Sequence, residues 1–172
     1  MMKHRLTAAA ALAVLVAGAV PVSAQSKAPL SALAFLVGEW EAIGTTPGES
    51  GGFGFAFAVQ GRVLLRTNHA DYAASDRGPA SRHDDLMVIH AEAGAITADY
   101  FDNEDHIIRY TVQVRGARDV VFISEARTSE PRYRLSYSMG ADGVLNGRFE
   151  IAPPGAPDAF TSYLAWTSRK RP

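Results

Sequence analysis

The chain has 172 residues, a length typical of a single domain. Apolar residues make up 47% and charged residues 20%, a balance that excludes a disordered chain and predicts a globular protein. Lysine and arginine number 17 against 18 aspartate and glutamate, and without a basic excess we expect no nucleic-acid partner.

The first segment, residues 1–24, has the order of a secretory signal peptide. A positive start at Lys3 and Arg5 precedes an apolar run, and small residues follow up to Ala24. The apolar run of about fifteen residues is shorter than the roughly 20 that span a bilayer, although a retained anchor is the alternative. We expect an exported protein, periplasmic or secreted, with a single domain over residues 25–172 and no transmembrane segment after cleavage. The chain has no cysteine, so disulfides and thiolate metal sites are excluded.

The expected domain begins with one helix and continues as strands. Leu30, Leu33 and Val37 recur at helical spacing. Gly38 then stops the pattern, so the spacing predicts a short N-terminal helix. Short β-prone runs separated by turn residues follow. The predicted strands are residues 39–45, 52–60, 62–69, 84–91, 95–101, 106–114, 119–126, 132–139, 144–151 and 159–168.

Turn-forming residues separate most of these strands, so sequence neighbours are predicted to pair as antiparallel hairpins. Asn103, Gly116 and Gly143 stand in three of the turns. A sandwich or a barrel would accommodate such a meander, and up-and-down closure removes exposed edges. We therefore predict an all-β, antiparallel up-and-down barrel of about ten strands. The longest separator, residues 70–82, is predicted to be a mobile segment over one end.

Alternation within the strands suggests a ligand-binding interior. A barrel of this size is either filled by its own side chains or holds one small molecule. Phe53, Phe55 and Phe57 share one face of a strand, either as core or as a cavity wall, but a period of two does not say which face points inward. Tyrosines could add polar contacts to an apolar pocket. The candidate ligand-binding residues are Phe53, Phe55, Phe57, Tyr110, Tyr133, Tyr137 and Tyr163.

Two segments carry a family resemblance. Gly38-Glu39-Trp40 resembles the Gly-X-Trp signature of calycin barrels, the lipocalin and fatty-acid-binding group, in which a short helix closes one end. Residues 149–155, with the aromatic and basic residues that follow, are similar to an uncharacterised bacterial secreted family with a lipocalin-like barrel. The resemblance implies that Trp40 packs beneath a basic residue of the last strand, Arg169 or else Arg171, which would make Gly38, Trp40 and Arg169 a structural signature.

A more distant resemblance concerns haem. Nitrobindins, which are haem-binding barrels, open with a similar Gly-X-Trp strand and hold iron through a histidine on the closing strand. The closing strand here, residues 161–166, contains no histidine, and Tyr163 is its one residue of a type that ligates ferric iron. We interpret Tyr163 as a packing residue and expect no haem or other cofactor.

Polar residues offer two further kinds of chemistry. His69 and His90 end apolar strands and could act as a general base if they lined a cavity, although solvent exposure is the simpler interpretation. The other group could form an imidazole-and-oxygen metal site, but its composition and spacing favour a solvated hairpin turn, and we assign no metal ligand. The residues of that group are His83, Asp84, Asp85, Asp102, Glu104, Asp105 and His106.

These patterns favour a binding protein over an enzyme. The sequence contains no nucleophile elbow, phosphate loop or zinc-protease motif, so we assign no catalytic residue. We predict an exported barrel that binds a small, largely apolar molecule. One alternative is a small isomerase or hydrolase that uses a cavity histidine. The other is a structural or partner-binding envelope protein whose barrel is plugged by side chains, and the cavity volume distinguishes all three.

Overall fold

The computed structural model describes residues 29–76 and 78–172, and the signal segment predicted at residues 1–24 lies outside this part of the chain. A short 3-10 helix, Pro29–Leu36, precedes the strands, and a 3-10 turn, Val59–Gly61, joins the second strand to the third. No helix in the described part is long and apolar enough to cross a membrane. The strands are β1 (Gly38–Ile43), β2 (Glu49–Ala58), β3 (Val63–Tyr72), β4 (Ser81–Glu92), β5 (Ala95–Asp102), β6 (Ile107–Gly116), β7 (Asp119–Ser124), β8 (Arg132–Met139), β9 (Leu145–Ala152) and β10 (Thr161–Lys170).

The strands form one closed barrel. Each strand pairs antiparallel with its sequence neighbours, and β1 pairs with β10 to close the sheet. The structure thus confirms the predicted all-β, up-and-down, ten-stranded fold with one short helix. Closure satisfies the backbone groups that the first and last strands would otherwise expose.

The hairpin between β3 and β4 is longer than expected. Tyr72 pairs with Ser81 and Asp71 pairs with Arg82, so both ends of the predicted mobile segment, residues 70–82, belong to strands. The pair is also linked by Arg82, whose Nη1 lies 3.1 Å from Asp71 Oδ1. The sequence does not predict this part of the ladder, because its small and polar residues show no apolar alternation.

The core fills the half of the barrel next to the 3-10 helix, which we call the filled half. The helix contacts β4 and β5 and contributes three fully buried leucines, Leu30, Leu33 and Leu36. Inward-pointing aromatic rings meet edge to face there, as in the contacts of Tyr137 with Phe55 and Phe122. The other buried residues of this half include Trp40, Leu64, Met87, Ile89, Val120 and Leu145.

Trp40 joins the helix to the barrel. Its side chain is 2% exposed, and its Nε1 donates a hydrogen bond to the Leu36 carbonyl over 2.8 Å. The cation near its ring is Lys170, with Nζ 5.8 Å from the ring centroid. Arg169, the residue implied by the calycin resemblance, is exposed and stands opposite Glu41 in the ladder. The difference is one position of register, because side chains alternate between the two faces of a strand.

Gly38 is required at this closure. Its φ is +127°, a backbone conformation that residues with a Cβ rarely adopt. A Cβ at Gly38 would also overlap the Lys170 side chain. The first residue of β1 therefore allows the last strand to bring its lysine over Trp40.

Candidate functional site

The half of the barrel away from the helix contains a cavity of about 1190 Å³. Residues from the far ends of the strands and the adjoining loops, such as Glu49, Tyr72 and His106, line its opening, which we call the mouth. Small-molecule sites typically occupy roughly 300 to 1,000 Å³, so this space is large enough for a ligand. The barrel is therefore filled at one end and hollow at the other.

The seven candidate ligand-binding residues lie at different depths along the barrel. Phe53, Tyr110, Tyr133 and Tyr163 line the cavity. Phe55 and Tyr137 are buried in the filled half, and Phe57 is 40% exposed at the end of β2 next to the turn Val59–Gly61. Inward residues on one strand are spaced by about 7 Å, so a single aromatic row reaches from the cavity through the core to the opposite end.

Aromatic side chains from β8, β9 and β10 form one wall. Tyr133 and Phe149 stack with their centroids 5.9 Å apart, and Tyr163 meets Phe149 edge to face at 6.2 Å. Trp166 lies against Gly147, where a Cβ would overlap its indole ring. The missing side chain at Gly147 thus makes room for Trp166 in the wall.

A buried ion pair joins the neighbouring strands β3 and β4 on the inner side of the barrel. Arg66 Nη1 contacts Asp85 Oδ1, and the two side chains are 5% and 4% exposed. Asn68 Nδ2 donates a second hydrogen bond to Asp85 Oδ2 over 2.8 Å. Buried charges are tolerated when they are paired and hydrogen-bonded, so Asp85 is satisfied by two partners on the neighbouring strand.

Arg66 and Tyr137 interact where the cavity meets the filled half. The Arg66 guanidinium and the Tyr137 hydroxyl are both buried there and interact with each other. Burial raises the pKa of Tyr137 to about 12, although the Arg66 cation acts in the opposite direction. Tyr137 therefore keeps its proton at neutral pH and lies beside the Arg66 cation.

A polar network lies between the ion pair and the mouth. His83 Nδ1 is 3.0 Å from Glu104 Oε1, and His83 Nε2 is 3.2 Å from the Tyr100 hydroxyl. Asp85 Oδ2 also approaches His83 Nε2, at 3.4 Å. The Tyr100 hydroxyl donates to Asp102 Oδ2 over 3.1 Å. With His106 these side chains make up the mouth cluster: His83, Asp85, Tyr100, Asp102, Glu104 and His106.

Asp102 is the most tightly held carboxylate of the mouth cluster. Its Oδ1 accepts the backbone N–H groups of Glu104 and His106, both over 2.9 Å, and its Oδ2 lies 2.9 Å from His106 Nδ1. Burial acts to raise the pKa of Asp102, but these hydrogen bonds favour the charged form and bring the pKa below its ordinary value. Asp102 is therefore a carboxylate at neutral pH.

Tyr100 acts as a donor within the same cluster. Burial raises the pKa of Tyr100, and the negative charges of Asp85 and Asp102 raise it further. The hydroxyl consequently stays protonated and can donate to Asp102 while it contacts His83.

The mouth cluster differs from the solvated turn that the sequence favoured. Asp102 ends β5 and Glu104 belongs to the following turn, but His83 lies within β4. His83 and Asp85 line the cavity, whereas Asp84 is exposed and pairs with Arg82 at 2.9 Å. Asp105 is exposed and does not line the cavity.

The two histidines first considered as general bases do not belong to this cluster. His90 lies 3.3 Å from Asp99 and also contacts Thr97. His69 is among the residues that line the cavity, next to the inward-pointing Asn68, and stands opposite Asp84 in the ladder. The imidazole placed between the buried ion pair and the mouth is instead that of His83.

The sequence pattern does not reveal Arg66, Asn68 and Tyr100 as site residues, because their strands resemble half-exposed ones. Arg66 and Asn68 follow Leu64 at alternate positions, so they share its inward face. Polar residues at such positions are ordinarily interpreted as solvent-facing. The sequence evidence for an inward position is that Arg66 and Asn68 stand at alternate positions after Leu64. This evidence is informative only when Leu64 is known to point inward.

The cavity has an excess of acidic side chains. Its described lining residues include the carboxylates of Glu49, Asp85, Asp102 and Glu104. The arginines that line it are Arg66 and Arg148, and Arg66 is engaged by Asp85. His69, His83 and His106 also line the cavity, and with these histidines neutral the formal charge of the lining is negative, which favours a neutral or cationic ligand over an anionic one.

Comparison with known proteins leaves the site to be interpreted from its own chemistry. The chain matches no protein-family model and no curated protein. The similarity of residues 38–40 to the calycin signature accordingly stays a prediction.

Proposed function

We propose that the protein binds a small, largely apolar molecule inside the hollow half of the barrel. The observation that carries the proposal is the cavity of about 1190 Å³ beside a fully packed core. A chain that needed the barrel only as a scaffold could fill both halves, as it fills the half next to the helix. The aromatic wall around Phe149 and Trp166 supplies apolar surface for such a ligand.

The expected affinity follows from the area that a ligand would bury. Removing roughly 300 Å² of apolar surface from water at about 25 cal/mol per Å² contributes some 7 kcal/mol before the costs of association. Dissociation constants should therefore lie in the micromolar to millimolar range.

The charge of the cavity narrows the ligand class to neutral or cationic molecules. Asp102 and Glu104 lie at the mouth, where a cationic group of a ligand would be attracted to them. Tyr133, Phe149 and Tyr163 present aromatic rings on the wall, and cations bind favourably to aromatic faces. A polar end of the ligand would thus lie toward the mouth and its apolar body against the wall.

The two alternative functions explain fewer features of the structure. A barrel plugged by its own side chains accounts for the filled half but not for the cavity. An isomerase or hydrolase would rest on His83, whose imidazole contacts Glu104, Asp85 and Tyr100, rather than on His69 or His90. Binding requires nothing beyond the shape and the wall, and it is the function that we favour.

The proposal includes the location and the family of the protein. The order of charged, apolar and small residues in 1–24 supports export. Gly38-Glu39-Trp40 and the closed ten-stranded barrel support membership of the calycin group.

The test is uptake of a neutral fluorescent probe, N-phenyl-1-naphthylamine, by the purified protein. Ile108 lines the cavity on β6, so Ile108→Trp should fill part of the space and weaken binding by at least about tenfold. Gln113→Trp is the matched control, because Gln113 is exposed on the same strand and does not line the cavity. A sulfonated naphthalene probe should bind more weakly than the neutral one. Folded protein that shows no saturable uptake, or equal losses in the two tryptophan variants, would contradict the proposal.

A further inference from the structure

We propose that His83, Asp102 and Glu104 bind a divalent transition-metal ion of the zinc class at the mouth of the barrel. One ligand atom from each of these residues lies within 4.8 Å of the others. The proposal goes beyond the binding of an apolar molecule and does not depend on it.

The spacing suits coordination by a single ion. Zinc lies about 2.0 to 2.2 Å from imidazole nitrogen and carboxylate oxygen, so in a tetrahedral site two of its ligand atoms are roughly 3.5 Å apart. The observed limit of 4.8 Å exceeds that separation by roughly 1.3 Å, so binding of an ion would draw the three side chains together by about that distance.

The ligand types point to the class of metal. One imidazole with two carboxylates suits zinc, cobalt, manganese, nickel or iron(II), whereas calcium and magnesium prefer sites made of oxygen alone. Copper(I) favours thiolate and thioether sulfur, and the chain has no cysteine. Three protein ligands would leave at least one coordination position for water or for a donor atom of a bound molecule.

An independent observation is the charge of Asp102. Its side chain is 4% exposed, and within the described residues the ion pair that it makes is with His106. The other buried carboxylate, Asp85, is paired with an arginine, Arg66. A buried carboxylate without a permanent counter-ion favours a bound cation.

The surroundings of the three residues are those of metal ligands. One ring nitrogen of His83 faces Glu104, while the other is near Asp85 and the Tyr100 hydroxyl. In metal sites the second nitrogen of a histidine ligand is commonly held by a carboxylate, which fixes the tautomer and the ring orientation. Asp102 is likewise held in place by the backbone N–H groups of Glu104 and His106.

The experiment is calorimetric titration of zinc into untagged protein that has been stripped of metal with a chelator, without any apolar probe. We expect one ion per chain, and cobalt(II) should give a visible absorption band of the bound ion. His83→Ala and Glu104→Gln should each weaken zinc binding by at least about tenfold. Glu104→Gln is the variant that should fold normally, because the Glu104 side chain is 59% exposed in a turn.

His90→Ala is the matched control, since His90 also pairs with a carboxylate, that of Asp99, but lies outside the cavity lining. Its zinc affinity should equal that of the unmodified protein. The proposal is overturned if zinc and cobalt do not bind saturably, or if both His83→Ala and Glu104→Gln leave binding unchanged. It is also overturned if calcium binds as tightly as zinc. These titrations contain no apolar molecule, so they test metal binding separately from probe uptake. Zinc binding can be absent when the probe binds, and it can be present when the probe does not bind.

Discussion

Arg66 and Asp85 bring charge into a barrel that is otherwise closed by apolar side chains. Removing these two groups from water is costly, and their attraction offsets that cost only with good geometry and additional hydrogen bonds. Asn68 supplies such a bond to Asp85, and the Arg66 guanidinium lies 5.6 Å from the centroid of Phe53. The pair thus lies between the apolar core and the polar mouth. The inner end of the cavity is therefore lined by both charged and apolar side chains.

Breaking this pair should be much more costly than breaking an exposed one. Asp85→Asn leaves the Arg66 cation buried without its counter-ion, and we expect a loss of about 3 to 5 kcal/mol in the free energy of unfolding. Urea denaturation measures the loss. The control is Glu130→Gln, which breaks the exposed contact with Arg127 and should cost less than about 1 kcal/mol. Similar losses in the two variants would show that Asp85 is solvated in solution.

Arg66 and His83 mark the limit of prediction from sequence at this scale. Phe53 and Tyr110 were identified because aromatic residues are expected in cavity walls, and both line the cavity. Arg66 and His83 were not identified as cavity residues, because a charged or polar residue on a strand is ordinarily assigned to the solvent face. Their positions depend on which face of β3 and β4 points inward, and alternation alone does not decide that.

Among the elements, the 3-10 helix depends on the barrel for its stability. It has eight residues, too few to be stable alone, and its leucines are buried only against the strands. Trp40 connects the two parts through its hydrogen bond to the Leu36 carbonyl and its position under Lys170. The end of the barrel is therefore closed by the combination of the helix, β1 and β10.

Trp40→Ala should open that end of the barrel. Loss of a buried tryptophan is expected to lower the free energy of unfolding by about 3 to 5 kcal/mol. Lys170→Met removes only the cation near the indole and should cost about 0.5 to 1 kcal/mol, because the lysine is exposed. Both values can be measured by urea denaturation followed by circular dichroism. A loss below about 1 kcal/mol for Trp40→Ala would mean that the helix does not depend on this contact.

Element boundaries were predictable where turn chemistry and alternation coincide. The strand over residues 132–139 was placed at its observed limits, since Tyr133, Leu135 and Tyr137 alternate with polar residues. The β3–β4 hairpin was underestimated because Ala70, Asp71 and the residues after them carry no such signal. Backbone pairing extends such a ladder even when the side chains give no pattern.

At the scale of the whole molecule, the packed core and the cavity occupy different halves of the barrel. Closure by β1 and β10 makes the filled half a continuous core, and the hollow half adds an aromatic wall and the mouth cluster to it. Both halves use the same strands, so the difference lies in which side chains occupy successive inward positions. Substitutions in the two halves should consequently have different effects.

Phe55 and Phe149 test this separation. Phe55 is 1% exposed in the filled half, so Phe55→Ala should lower the free energy of unfolding by about 3 to 5 kcal/mol. Phe149 is half-buried in the cavity wall, where water can occupy the vacated space, and Phe149→Ala should cost less than about 2 kcal/mol.

Probe affinity should show the opposite order. Phe149→Ala removes a ring that a ligand would contact, and we expect N-phenyl-1-naphthylamine to bind roughly tenfold more weakly. Phe55→Ala does not alter a residue of the cavity lining, so its affinity should stay within about threefold of the original in protein that circular dichroism shows to be folded. If the two substitutions change stability and affinity in parallel, the two halves are energetically coupled, and the cavity is part of the core rather than a binding site set beside it.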